Sequence, residues 1–142
     1  MVRLVIADDD VKVRSAIGLI LGQDQSCWQV ISCVRDVQQL FETVREEKPD
    51  LVLLDWDLSL GENNDGNTLS DRVQQLKIFS PKTQILVLSC KPQNKQDALN
   101  AGADAFVSKV EPPEVFLEAM YGLCEKFTIA QYPLMLKHFA AV

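Results

Sequence analysis

The sequence is poor in residues that staple a small protein together. It has one histidine, His138, and four cysteines, Cys27, Cys33, Cys90 and Cys124, none of them in a C-x-x-C pair. His138 stands far along the chain from all four, so a structural zinc site is not expected. The cysteines read as free thiols that pack as small hydrophobes, and His138 as a surface or interface residue. Long apolar runs are missing too. None approaches the ~18–20 residues of a membrane span. Met1-Val2-Arg3-Leu4 leads straight into a strand-like run and an acidic cluster. That lacks the charged, apolar, small-residue order of a secretory signal, and a cytoplasmic chain is expected. Positive charge is also short, with 14 Lys and Arg against 20 Asp and Glu and a net charge of −6. A surface of that sign repels phosphate backbones, so direct nucleic-acid binding is not expected.

What is present is an ordinary globular composition, 47% hydrophobic and 24% charged, over 142 residues. That length suits one domain, which buries ~68–70% of its extended surface and needs no staple. Three apolar runs stand out: Leu4–Ala7, Leu51–Leu54 and Ile85–Leu88. They do not alternate, which suits parallel strands covered on both faces. Weaker strands are expected at Gln29–Val34 and Ala105–Val107.

Helical stripes lie between them. Val13, Ala16, Ile17, Ile20 and Leu21 share one face, and Gly22 stops that helix. Asp9 or Asp10 is its expected N-cap. Asp36 is placed to cap a second helix carrying Val37, Leu40, Phe41 and Val44. A third carries Leu69, Val73 and Leu76 and ends before Pro81. A faint fourth spans Pro92–Ala101 and ends at Gly102. A fifth starts near Pro112-Pro113 and carries Phe116, Met120, Leu123 and Phe127. The order βαβαβαβαβα implies a doubly wound α/β fold with a parallel sheet. Residues 128–142 fall outside this pattern. They are expected to form a tail, an extra helix packing on the domain or making a homodimer, or the start of a linker. The longest loop runs from Trp56 to Asn67, and loops of that length are usually functional.

In open α/β sheets, ligands bind beyond the carboxyl ends of the strands. There the sequence places Asp8, Asp9 and Asp10 after the first strand and Asp55 and Asp57 after the third. Ser89 follows the fourth and Lys109 the fifth. Five carboxylates at one edge raise each other's pKa. A divalent cation resolves the conflict, and an oxygen-only donor set suits Mg2+. Mg2+ between Asp9 and Asp55 leaves positions open for a phosphoryl group, with Lys109 and the Ser89 hydroxyl placed to stabilise its oxygens.

Four segments carry a resemblance: Val5–Asp10, Asp50–Asp55, Ile85–Ser89 and Ala101–Lys109. In this order, each at a strand end, they resemble the receiver domains of two-component response regulators over roughly residues 1–127. The resemblance implies a flavodoxin-like (βα)5 sandwich with a five-stranded sheet in order 2-1-3-4-5. It implies that a histidine kinase or histidine phosphotransfer protein phosphorylates Asp55. Asp8 and Asp9 would hold Mg2+ with Asp55 and the backbone carbonyl of Asp57. Ser89 would move to meet the phosphoryl group, and Phe106 would be the aromatic switch. Signalling would use the face of the fourth helix, fifth strand and fifth helix. Asp57 and Lys91, each two residues past a site residue, are expected to pair and tune the lifetime of the phosphoryl group.

Four features depart from the pattern. Gly66 lies eleven residues after Asp55, farther than the resemblance implies, and Ser59 replaces a proline. Val110 follows Lys109 where the family has a cis-proline; a cis bond before a non-proline costs about 3–4 kcal/mol, so a trans bond or strain is expected. Cys90 replaces a small alanine and is expected to pack. No DNA-binding output domain is expected in this chain. Two other readings compete. Leu53-Leu54-Asp55-Trp56-Asp57 resembles the D-x-D motif of haloacid-dehalogenase-type phosphatases, although their nucleophile lies in the first strand. A degenerate receiver that binds protein partners without phosphorylation is the other, against which the intact set of Asp9, Asp55, Ser89 and Lys109 argues.

Overall fold

The computed structural model describes residues 1–24, 27–61 and 68–124. Five strands alternate with five helices: β1 (Val2–Ala7), α1 (Val11–Leu21), β2 (Trp28–Val34), α2 (Val37–Glu47), β3 (Leu51–Asp55), α3 (Leu69–Phe79), β4 (Gln84–Ser89), α4 (Lys95–Asn100), β5 (Ala105–Ser108) and α5 (Pro113–Cys124). The strands are all parallel and lie in the order β2-β1-β3-β4-β5. This is the doubly wound arrangement expected from the sequence.

The helices start where their caps dictate. The Asp10 carboxylate accepts from the Lys12 amide at 2.9 Å and opens α1. Asp36 accepts from the Gln39 amide at 2.8 Å and opens α2. Thr68 and Asp71 cap α3 reciprocally, each side chain bonded to the other's backbone amide, so that two otherwise unpaired amides are satisfied. The fourth helix is two pieces, a 3-10 turn over Pro92–Asn94 and then α4. Its faint periodicity has a plain cause: Ala98 is its buried residue.

The sheet divides the core in two. Val2, Leu4, Ile6, Leu51, Leu53, Leu86, Leu88 and Val107 pack beneath α1 and α5. Val5, Ala7, Val52, Leu54, Ile85 and Val87 pack beneath α2, α3 and α4. Alternate residues of each central strand thus feed opposite faces, and Leu51–Asp55 is buried throughout. That double cover is why these runs do not alternate in polarity.

Two cysteines depart from expectation. Cys27 and Cys124 are buried, but Cys33 and Cys90 are exposed and do not pack. Cys33 lies on edge strand β2, and Cys90 just beyond the end of β4. Burial, with the nearby Cys27 and Asp50, pushes the Cys124 thiol up to about 12, which leaves it inert. Phe127, the tail 128–142 with His138, and Gly66 in the long loop lie outside the described residues. Among the described residues, no helix is long and apolar enough to cross a membrane.

Candidate functional site

Parallel strands bring all their carboxyl ends to one edge of the sheet. Ala7 stands beside Leu54, so Asp8, the next residue, reaches the level of Asp55. Asp55 itself pairs with Leu88, and Ser89 with Ser108. The ladder continues past the strands, with Trp56 N–H to Leu88 O and Lys109 N–H to Ser89 O, both at 2.8 Å. Register alone therefore gathers Asp8, Asp55, Ser89 and Lys109.

Their side chains form a compact polar cluster. The Lys109 ammonium donates to Asp8 Oδ2 at 2.9 Å and to Asp55 Oδ1 at 3.0 Å. Asp8 Oδ1 accepts from the Asp10 amide, and Asp55 Oδ1 from the Asp57 amide at 3.3 Å. Asp55 Oδ2 accepts no hydrogen bond from the described residues. Asp8 and Asp55 are 1% and 5% exposed, so their charges are held out of water. Burial raises the Asp55 pKa, the Lys109 hydrogen bond lowers it, the Asp8 charge raises it again, and the net shift is upward. Burial also disfavours charge on Lys109, but its two carboxylate partners outweigh this and raise its pKa.

One lysine does not neutralise three acids. Carboxylate oxygens of Asp8, Asp9 and Asp55 all lie within 4.8 Å of one another. Hard oxygen donors at that spacing fit a small divalent cation, and these three residues could hold one.

The remaining expected residues sit around this cluster. Ser89 is buried, and its hydroxyl accepts from the Lys91 amide and the Asn94 side-chain amide, both at 3.0 Å. Phe106 is half-buried beside Val87 on the α2–α4 face. Asp57 and Lys91 are both exposed, and among the described residues no ion pair joins them. The expected Asp57–Lys91 pair is thus not formed: each residue is bound to the site through its backbone amide instead. The Lys109–Val110 bond is trans, and Val110 is 70% exposed.

Two site neighbours escaped the sequence reading. The Arg14 guanidinium donates to the Asp8 carbonyl at 2.7 Å, and Asn94 holds Ser89. Arg14 lies off the apolar stripe of its helix, where a solvated side chain is the default reading. Asn94 ends a 3-10 turn that has no periodicity to reveal it.

The long loop begins with an anchored leg. Leu58 is buried, its amide bonded to Asp55 O at 3.2 Å. Ser59 bridges to Asp36, and its carbonyl accepts from the Val37 amide at 2.8 Å. Gly61 follows at φ +83°, with Asp36 Cγ 3.2 Å from where a Cβ would stand.

A flavodoxin-like sheet with a lysine-closed acidic cluster at its carboxyl edge defines a class of small α/β signalling domains. Comparison with known proteins narrows this: a family model described as the response regulator receiver domain matches residues 4–121. The chain belongs to that family and is a receiver domain of the two-component response regulators. It is 30% identical over 122 residues to the oxygen regulatory protein NreC of Staphylococcus aureus strain JH9, covering 83% of this chain and 52% of that protein. It is 28% identical over 120 residues to NreC of Staphylococcus haemolyticus, with the same coverage. The chain thus spans about half the length of these curated relatives. Among solved structures, a LuxR-family response regulator from Aurantimonas sp. SI85-9A1 superposes with a TM-score of 0.74 at 20% identity, over 89% of this chain and 86% of that one. The receiver domain of NarL from Mycobacterium tuberculosis gives 0.72 at 23% identity, over 89% and 98%. Family membership makes the domain a phosphoacceptor rather than a classical enzyme, and nothing found favours the phosphatase or the degenerate receiver.

Proposed function

We propose that Asp55 is the residue phosphorylated, with a histidine kinase or histidine phosphotransfer protein as donor. The observation that supports it best is the unequal use of the two Asp55 oxygens. Oδ1 is held by Lys109 and the Asp57 amide, while Oδ2 takes no hydrogen bond from the described residues. In the transfer, a carboxylate oxygen attacks the phosphorus of a phosphohistidine and forms a P–O bond. The P–N bond breaks, its electron pair leaves on the imidazole nitrogen, and that nitrogen takes a proton from water. The product is an acyl phosphate. Lys109 is placed to stabilise charge on the phosphoryl oxygens. Asp8, Asp9 and Asp55, with the backbone carbonyl of Asp57, would hold Mg2+, which supplies neutralising charge at the phosphoryl group.

Ser89 and Phe106 are the proposed moving parts, and Asp57 and Lys91 the proposed modulators of phosphoryl lifetime, each acting from its own side of the site. Output is proposed to pass through protein contacts, including a phosphorylation-driven homodimer. No direct nucleic-acid contact is proposed for this acidic domain. DNA binding is part of the description of one solved Staphylococcus aureus relative.

The test is Mg2+-dependent labelling from acetyl phosphate, followed by size-exclusion chromatography. Wild type should take up one phosphoryl group and Asp55→Asn none. Equal labelling of both would overturn the assignment, and continuous turnover of a phosphate monoester would restore the phosphatase reading.

A further inference from the structure

Ser89 stands at the end of β4 beside the acidic cluster, and its carbonyl accepts from the Lys109 amide, yet every hydrogen bond of its side chain among the described residues points elsewhere. Its Oγ accepts from the Lys91 amide and from Asn94 Nδ2, each at 3.0 Å, and it has no bond to Asp8, Asp55 or Lys109. Two donors fill both lone pairs of the hydroxyl. Ser89 is 1% exposed, so water does not replace these partners freely.

Asn94 ends the 3-10 turn with helical backbone angles (φ −76°, ψ −5°) where α4 begins, so it is not set to cap that helix. Among the described residues its side chain bonds to Ser89.

We propose that Asn94 is a latch. Its amide holds the Ser89 hydroxyl on the loop side of the site in the unphosphorylated domain. A phosphoryl group on Asp55 draws Ser89 away and releases Asn94 at the start of α4. The change at the site then reaches α4 through one residue, with no displacement of the sheet. Asn94 is a positioning residue, since it acts through Ser89. The latch rests on the reading of Asp55 as the phosphoacceptor.

Beryllofluoride with Mg2+ serves as the phosphoryl mimic, and binding is read by tryptophan fluorescence, Trp56 following Asp55 directly. Removing the latch should favour the bound state. Asn94→Ala is expected to tighten beryllofluoride binding about three- to ten-fold, the worth of one net hydrogen bond. Affinity for Mg2+ alone, which does not involve Ser89, should not change. In a Ser89→Ala background the Asn94→Ala effect should vanish, because the latch then has nothing to hold. Unchanged or weaker beryllofluoride binding in Asn94→Ala would overturn the latch, as would an equal effect in the Ser89→Ala background. A wild-type protein that binds Mg2+ but never responds to beryllofluoride would overturn the phosphoacceptor reading itself, and the latch with it.

Discussion

Asp55 is a carboxylate whose charge burial disfavours. Its carboxyl is held above its usual pKa, chiefly by burial and then by Asp8, against the opposing pull of Lys109. The folded chain thus binds this proton more tightly than the unfolded chain does. Stability linked to Asp55 is fully present below the unfolded pKa and is lost as pH rises through the folded one. At neutral pH the ionised group works against folding. Asp55→Asn should therefore raise the stability and the Tm of the metal-free protein at pH 7. Mg2+ should stabilise wild type by about 2.7 kcal/mol at a hundred-fold excess over Kd, and the variant far less. Thermal melts with and without Mg2+ check both; a variant less stable than wild type at pH 7 without metal would contradict the account. The positions of Asp8, Asp55 and Lys109 were legible because Asp8 and Asp55 directly follow apolar runs and Lys109 lies two residues past Val107. The choice of partners was not, since hydrogen bonds of Ser89 and Arg14 depend on rotamers that spacing does not encode.

At the scale of elements, the first leg of the long loop is fastened to the start of α2. Gly61 makes this possible by taking φ +83°, where an added Cβ would stand 3.2 Å from Asp36 Cγ. An alanine there meets both the left-handed backbone and the Asp36 carboxyl. Gly61→Ala should cost about 1–2 kcal/mol, measurable by urea denaturation. A cost within about 0.5 kcal/mol of zero, as for ordinary surface changes, would show that the leg is not constrained. The elements themselves were largely readable. Asp10 and Asp36 announced α1 and α2, and unbroken apolar runs announced β1, β3 and β4. The fourth helix was blurred, because a 3-10 turn and a six-residue helix with one buried side chain leave no stripe. The exposure of Cys33 and Cys90 was misread, since cysteine carries no sign of which face it will take.

For the whole molecule, β3 is the structural axis. Leu53 is fully buried at the centre of the face under α1 and α5. Leu53→Ala should cost about 2–5 kcal/mol. The urea midpoint should fall with its slope unchanged. Fold class and strand order followed from the alternation of elements and the family resemblance.

The lysine clip has one more consequence, for the timing of biosynthesis. Lys109 and Asp8 meet across 101 residues of chain and Lys109 and Asp55 across 54. A nascent chain emerging at ~5–20 residues per second carries Asp8 and Asp55 for seconds before their cation exists. Until residue 109 docks beside β4, Asp8 and Asp55 lack the cation that bridges them. The acidic cluster is therefore closed only with the last strand, and the site reports that the sheet is complete.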